Sequence, residues 1–334
     1  MSLRLHGDTI ARPGTLDFAV NVWPERPPML EAALEQALSQ SRGYPDEWPA
    51  REAIAERHCR SVDEVLLLNG ACEAFWLLAH AFRPKLAACI HPSFTEPEAA
   101  LQAAGAEVVR IMRDEERWSF DPSEVPEAAD LVVLGNPNNP TGSLDRPELI
   151  ALLARPGRLL VIDESFMDFV TDDGATVAGR DELSGLVVVR SLTKLWSLPG
   201  IRAGYLLAEP EVVELLAASR QPWGVNALAC AALAACASDS MTPRHVSAQV
   251  AEARAELLEG LRFLDRLRVW PSEANFLLMR ASEGRNLCED LRRLGFAVRP
   301  AASFPGLDED YLRVAVRPRK DNLALLGALT ALCC

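Results

Sequence analysis

The sequence predicts an α/β fold with a mostly parallel seven-stranded sheet in a large domain, and a smaller α+β domain. Seven short apolar stretches rich in β-branched residues alternate with helical patterns, at residues 64–68, 86–90, 107–112, 130–135, 158–163, 186–191 and 203–208. This alternation is typical of a parallel sheet covered by helices on both faces. The length of 334 residues is enough for one large core and a smaller one.

The helices between these strands have readable ends. Residues 71–82 and 94–105 place apolar side chains at helical spacing, and the second stretch stops at a glycine. Residues 146–157 start with a proline in the first turn and end at Pro-Gly. We therefore predict crossover helices over these three ranges.

The pattern changes after about residue 225, which predicts the second domain. A long amphipathic stretch at 243–267 precedes a helical pattern at 284–295, short strands at 296–300 and 311–317, and a last helix at 320–332. We predict a large domain at 25–225. Residues 1–24 and 226–334 are predicted to form the small domain.

Composition excludes several classes of function. The formal net charge of -13 argues against a nucleic-acid partner, and no apolar run is long enough to cross a membrane. The N-terminus lacks the apolar core of a signal peptide. The eight cysteines have no metal-ligand spacing, so we expect free thiols, no metal site and a cytoplasmic protein.

Polar residues follow the predicted strands, at the sheet edge where α/β folds bind ligands. Lys194 comes just after strand 186–191, and it is either a surface lysine or a catalytic amine able to form a Schiff base. Ser191 and Arg202 lie around the same turn. Asp163 ends strand 158–163, where a carboxylate is costly unless it pairs with a cation such as a protonated pyridine nitrogen.

Two further segments are suited to a cofactor. The loop "NPNNPTG" at 136–142 has the composition of a tight turn, and its asparagines are able to hydrogen-bond a planar ligand. The stretch "NGACEA" at 69–74 enters a helix, whose first N–H groups form an anion site. Each feature alone is weak evidence.

Taken in order, the segments "NGACE", "HPSF", "NPNNPTG", "VIDESF", "SLTK", "GIRAGY" and "YLRVAV" resemble the fold-type I pyridoxal-phosphate enzymes of the class I/II aminotransferase group. The resemblance covers essentially the whole chain and implies pyridoxal 5'-phosphate as cofactor. It implies that Lys194 forms the Schiff base and that Asp163 keeps the pyridine nitrogen protonated. The other implied contacts are Asn139 to the ring O3′, Phe94 on the ring face, Ala71, Cys72, Ser191 and Arg202 on the cofactor phosphate, and Arg313 on the substrate carboxylate.

Residues 220–229 and 304–317 closely resemble the L-threonine-O-3-phosphate decarboxylase family of the cobalamin pathway, in which Phe at position 166 is usual. The resemblance implies substrate contacts by His6, Asn21, Arg299 and Arg313. It also implies a homodimer in which Tyr44 reaches the cofactor phosphate of the other subunit. The alternatives are a frayed terminus for His6, a solvated Arg299 and an ordinary turn at Tyr44. The N-terminal "LHGD" looks like a shortened form of the family's "HGGN" element.

The reaction expected from this resemblance is decarboxylation of L-threonine O-3-phosphate to (R)-1-amino-2-propanol phosphate, for cobalamin biosynthesis. The alternative is an aminotransferase that acts on a phosphorylated substrate such as histidinol phosphate. Both reactions use the same Lys, Asp and Asn, so these residues do not discriminate between them. A third possibility is a non-catalytic regulator or binding module with this fold, against which the intact set of Lys194, Asp163, Asn139 and Arg313 argues.

Overall fold

The computed structural model describes residues 7–180, 182–282 and 286–333. The strands are β1 Leu16–Asp17, β2 Val65–Asn69, β3 Leu86–His91, β4 Glu107–Met112, β5 Leu131–Gly135, β6 Leu159–Asp163, β7 Leu186–Ser191, β8 Ala203–Leu207, β9 Leu267–Val269, β10 Phe276–Ala281, β11 Phe296–Ala297, β12 Arg299–Pro300 and β13 Tyr311–Ala315. The helices are α1 Pro28–Gln40, α2 Trp48–His58, α3 Cys72–Phe82, α4 Glu96–Ala103, α5 Pro147–Ala151, α6 Pro210–Ala218, α7 Ala227–Ser238, α8 Met241–Leu261, α9 Leu287–Arg293 and α10 Arg319–Cys333. His6, a predicted substrate contact, lies outside the described residues.

The large sheet has seven strands in the order β2-β8-β7-β6-β5-β3-β4. Neighbouring strands from β7 to β4 are parallel, whereas β8 is antiparallel to both β2 and β7. All seven predicted strands are present, and their observed ends lie within one residue of the predicted ends. The predicted mostly parallel seven-stranded sheet is therefore confirmed.

Helices cover both faces of this sheet. Val188 of β7 packs into a core with Leu30 of α1 and Ile54 of α2. Val187, the preceding residue, points to the other face, in a core shared with Leu78 of α3. Because both faces of the strands are buried, these strands are continuous apolar runs in the sequence.

A four-stranded antiparallel sheet, in the order β12-β13-β10-β9, forms a second lobe with α8, α9 and α10. The N-terminal segment joins this lobe, since β1 pairs in parallel with β11 and the Phe18 side chain is fully buried in the same core. The domain limits at 25 and 225 remain predictions. In the described part of the chain, every helix is too short or too polar to cross a membrane.

Two predicted helices are too long. The range 146–157 is helical only over Pro147–Ala151, and Pro156 disfavours helical backbone at Arg155, the residue before it. Arg158 then holds the non-helical turn, donating from Nη1 to the carbonyl of Leu153 at 3.0 Å. The range 243–267 ends at Leu261, since Leu267 already pairs with Ala281 in the second sheet.

Candidate active site

A cavity of about 490 Å³ lies between the carboxyl-end edge of the large sheet and the second lobe. A larger cleft, of about 800 Å³, is lined by residues 142–148 and 270–273 among others. We identify the smaller cavity as the candidate active site because its chemistry, rather than its size, is distinctive. Its lining includes Lys194, Arg299 and Arg313.

Lys194 lies three residues after the end of β7, and a backbone hydrogen bond fixes its position. Its carbonyl accepts a hydrogen bond from the Trp23 amide at 2.9 Å, and its Nζ lies 5.8 Å from the centre of the Phe166 ring. Burial, together with the positive charges of Arg313 and Arg202, lowers the pKa of Lys194 to about 8. A much larger share of this amine is therefore neutral near pH 8 than of an ordinary lysine.

Asp163 ends β6, opposite Gly135 of β5 and Val189 of β7. Burial raises the pKa of its carboxyl group, although hydrogen bonds from Ser165 and the charge of Lys194 oppose the rise. Its Oδ1 atom accepts from the Ser165 amide at 3.0 Å. Such a carboxylate is stabilised by a cation brought into the site.

Two glycines bring Arg202 close to the start of α3. A Cβ on Gly204 would lie 2.6 Å from the Ala71 amide nitrogen, and a Cβ on Gly70 would lie 2.2 Å from Nη2 of Arg202. Gly70 also has a φ of +79°, which favours glycine. The first N–H groups of α3 and the Arg202 guanidinium thus form a cradle that fits an anion.

Two buried arginines from adjacent strands form the opposite end of the cavity. Arg299 of β12 is directly opposite Arg313 of β13, and the two are only 4% and 5% exposed. Arg313 donates to the carbonyl of Ala19 at 2.9 Å and to Oδ1 of Asn139. Arg299 donates to Oγ of Ser303 at 2.7 Å.

Burial lowers the pKa of Arg313 to about 9, and the charge of Arg299 contributes to the shift. Burial also lowers the pKa of Arg299 to about 10, against the opposing effect of the Asp8 carboxylate. Because the two desolvated cations repel each other, an anionic group bound between them stabilises both.

Most of the predicted site residues meet in this cavity. Its lining includes Asn21, Cys72, Phe94, Asn139, Lys194, Arg202, Arg299 and Arg313. Ala71, Asp163 and Ser191 are not among the lining residues but lie on the adjoining helix and strand ends. Asn21 is 3% exposed, and its buried Oδ1 has no hydrogen-bond partner in the described part of the chain.

Tyr44 does not reach the cavity of its own chain. Its side chain is 78% exposed and stacks on Trp223, with ring centres 4.5 Å apart. The cavity is also lined by Asp8, Glu96 and Phe304, none of which was predicted from the sequence as a site residue. Asp8 belongs to the "LHGD" element and Phe304 to the 304–317 stretch. Both segments carry the family resemblance, so their positions in these segments could have indicated both residues.

The family model described as aminotransferase class I and II matches residues 16–329. The chain belongs to this family. Like the family, it is a fold-type I enzyme that depends on pyridoxal phosphate, so the predicted fold type and cofactor are confirmed.

Within the class I and II family, the chain is similar both to histidinol-phosphate aminotransferases and to threonine-phosphate decarboxylases. It is 44% identical over 325 residues to a histidinol-phosphate aminotransferase of Mycobacterium tuberculosis, covering 94% of this chain and 87% of the relative. It is 32% identical over 327 residues to the threonine-phosphate decarboxylase of Salmonella typhimurium, covering 94% and 90%. The predicted resemblance to both groups is confirmed.

Solved structures similar to this chain also include both an aminotransferase and a decarboxylase. The histidinol-phosphate aminotransferase of Clostridium acetobutylicum has a TM-score of 0.88 at 27% identity, over 95% of this chain and 98% of that one. The L-threonine-O-3-phosphate decarboxylase of Porphyromonas gingivalis has a TM-score of 0.86 at 29% identity, over 95% and 99%. The fold therefore does not distinguish the two reactions.

Proposed function

We propose that this enzyme acts on a small phosphorylated amine, with transamination of a histidinol-phosphate-type substrate as the leading reaction. The observation that carries the proposal is one cavity in which Lys194, with its lowered pKa, faces two buried arginines. An amine poised near neutrality is suited to attack a carbonyl and to carry a proton. Two adjacent guanidinium groups are suited to phosphate and carboxylate groups.

The residues present fit the cofactor. Gly70 and Gly204 leave room for Arg202 and the start of α3 to surround a phosphate, together with Ser191 and the amides of Ala71 and Cys72. Asp163 would hold the protonated ring nitrogen. Phe94 would stack on the ring, and the side-chain amide of Asn139 would donate to the ring hydroxyl, since its Oδ1 already accepts from Arg313.

When bound, the cofactor supplies an electron sink for the bond broken at the substrate α-carbon. In transamination, Lys194 would move the proton from the substrate α-carbon to the former aldehyde carbon of the cofactor, and in decarboxylation it would supply a proton to the α-carbon after CO₂ has left. Burial raises the Asp163 pKa, but a cationic ring nitrogen beside it favours the ionised form that the chemistry requires. Arg299 and Arg313 would hold the substrate anions and so determine which α-bond stands perpendicular to the ring.

The relatives at 44% identity support transamination, because they carry the name of a histidinol-phosphate aminotransferase. Decarboxylation of L-threonine O-3-phosphate is the second candidate, and two observations favour it. That substrate has both a carboxylate and a phosphate, one for each of the adjacent arginines. Relatives named as threonine-phosphate decarboxylases are 32% and 34% identical to this chain.

We also propose a homodimer in which Tyr44 contacts the cofactor phosphate of the other subunit. Tyr44 and Trp223 form an exposed aromatic pair, at 78% and 59% exposure, and Tyr44 is absent from the cavity of its own chain. Large exposed aromatic side chains are typical of protein interfaces. A fully active monomer in analytical ultracentrifugation would contradict this proposal.

Single-turnover mixing of the cofactor-loaded enzyme with each substrate distinguishes the two reactions. Conversion to the pyridoxamine form by histidinol phosphate, with a keto product, would establish the aminotransferase. Release of CO₂ and 1-amino-2-propanol phosphate from L-threonine O-3-phosphate, with recovery of the starting spectrum, would establish the decarboxylase. If neither substrate changes the cofactor spectrum, the proposal of a phosphorylated amine is wrong.

A further inference from the structure

A buried histidine–glutamate pair closes the loop that carries Phe94. His91 is the last residue of β3 and is fully buried, and Glu98 is the third residue of α4 and is 1% exposed. The four residues between β3 and α4, at 92–95, include Phe94, which lines the cavity. We call His91 and Glu98 the loop clasp.

The two ring nitrogens of His91 have different partners. Its Nδ1 accepts a hydrogen bond from the Ser93 amide at 3.2 Å, so the ring proton is on Nε2. Nε2 lies 2.9 Å from Oε2 of Glu98. The neutral ring therefore makes a close polar contact with the carboxylate, outside good hydrogen-bond alignment, and not an ion pair.

Glu98 is itself held firmly. Nη2 and Nε of Arg110, on β4, donate to its Oε1 at 2.6 and 3.1 Å, and Nε2 of Gln102 donates to the same oxygen at 2.7 Å. Burial opposes ionisation of Glu98, but the His91 contact and the hydrogen bonds from Arg110 outweigh it and lower its pKa to about 2. The carboxylate is therefore a fixed charged anchor on the side of the loop away from the cavity.

The loop at 92–95 is also fixed by a residue of the loop that follows β5. Nδ2 of Asn138, in the loop after β5, donates to the carbonyl of Pro92 at 2.8 Å. The Phe94 ring also makes an edge contact with Phe75 of α3, with ring centres 6.3 Å apart. With the clasp on one side and Asn138 on the other, Phe94 has little freedom to change its ring plane.

We infer that His91 is a positioning residue, which sets the orientation of the Phe94 ring against the cofactor ring through its contact with Glu98. The inference rests on the proposed stacking role of Phe94. His91 is not a catalytic residue, because it is fully buried and does not line the cavity. Its effect on the cofactor must therefore pass through the loop.

Two substitutions separate the two contacts of His91. His91→Asn keeps an acceptor for the Ser93 amide but cannot reach Glu98, whereas His91→Gln keeps a donor toward Glu98. We expect His91→Asn to reduce the visible circular dichroism of the bound cofactor by about half and to weaken cofactor binding about tenfold, the size of one lost buried polar contact. His91→Gln should be closer to wild type. His80→Asn, at an exposed histidine of α3, is the control.

A double-mutant cycle with Phe94→Leu tests whether His91 acts through that ring. If it does, His91→Asn should change cofactor affinity less than about twofold in the Phe94→Leu background. An undiminished effect there, or an unchanged dichroism in His91→Asn, would overturn the inference. If His91→Asn does not fold, judged from thermal unfolding of the apoenzyme, Glu98→Gln is put through the same two measurements. A wild-type enzyme without any cofactor signal would instead overturn the proposed function.

Discussion

The two walls of the cavity are built in different ways. The sheet wall, formed by Asn139, Lys194 and Arg202, comes from the loops that flank β5, β7 and β8 at one edge of a single sheet. The small-lobe wall, formed by Asn21, Arg299 and Arg313, combines an antiparallel strand pair with the N-terminal segment. One sheet thus fixes the groups around the cofactor, whereas contacts between distant parts of the chain fix those around the substrate. Substrate preference is therefore able to change while the cofactor site stays intact.

Loss of the Lys194 amine should have the largest effect on the sheet wall. We expect Lys194→Ala to lower kcat by at least about a thousandfold, the scale for removing a catalytic nucleophile. Borohydride reduction should no longer fix the cofactor to the chain, which mass spectrometry would detect. Lys85→Ala, at an exposed lysine, should leave both unchanged. Activity of Lys194→Ala within tenfold of wild type would contradict the proposed mechanism.

On the small-lobe wall, Arg313 should matter most. Arg313→Gln removes a buried guanidinium that would bind a substrate anion, and we expect kcat/KM to fall about a hundredfold. The cofactor should remain bound, because Arg202 and the start of α3 hold its phosphate, whereas its absorbance should shift because Asn139 loses the hydrogen bond from Arg313. Arg280→Gln, on the neighbouring strand and paired with Glu115 at the surface, is the matched control. A large loss of cofactor by Arg313→Gln would mean that the two walls are not independent.

The sheet wall was predictable from sequence and the small-lobe wall was not, for a physical reason. Asp163 and Lys194 follow continuous apolar runs, so their place at the sheet edge follows from where each strand ends. Asn21 is placed by a contact 254 residues along the chain, where Nδ2 of Asn275 donates to its carbonyl at 2.9 Å. Asp8 also lines the cavity, but only its position in the "LHGD" element, and no strand pattern, pointed to it. Arg299 and Arg313 were named only through family resemblance.

Helices were predicted unevenly for a similar reason. Helix α3 has an apolar face and a clear start, and its predicted ends are within one residue of those observed. Helix α7 is an alanine-rich segment, "ALACAALAACAS", with no polar face to show a helical period. Its packing against α1 and α2, rather than its own pattern, determines its place in the core.

Arg317 offers a way to loosen the small-lobe wall without touching the cavity. Its buried guanidinium donates to the carbonyls of Asp17 and Val20, both at 2.7 Å, and to that of Val22. We expect Arg317→Met to lower the Tm and to raise the substrate KM about tenfold, because residues 17–22 lose charged hydrogen bonds. Cofactor affinity should remain that of wild type. Arg317→Lys should recover part of the loss, and a selective loss of cofactor would reverse the comparison.

The pH dependence of Lys194 measures the charge of both walls at once. Its neutral amine is the form that attacks the cofactor aldehyde, and its pKa is lowered to about 8. The rate of cofactor attachment to the apoenzyme should therefore rise about tenfold per pH unit below that value and level off above it, whereas the rate for an ordinary lysine would continue to rise toward pH 10.4.

Two carboxylates raise this pKa, Asp163 beside the sheet wall and Asp8 near the small-lobe wall, and Asp163 has the stronger effect. Asp163→Asn should thus move the midpoint to lower pH, Asp8→Asn should move it less, and Asp121→Asn, at an exposed site, should not move it. The midpoint rather than the plateau is the quantity to compare, because Asp163 also contacts the cofactor ring. A larger shift for Asp8→Asn than for Asp163→Asn would show that the small-lobe wall, not the sheet wall, controls the charge of the catalytic amine.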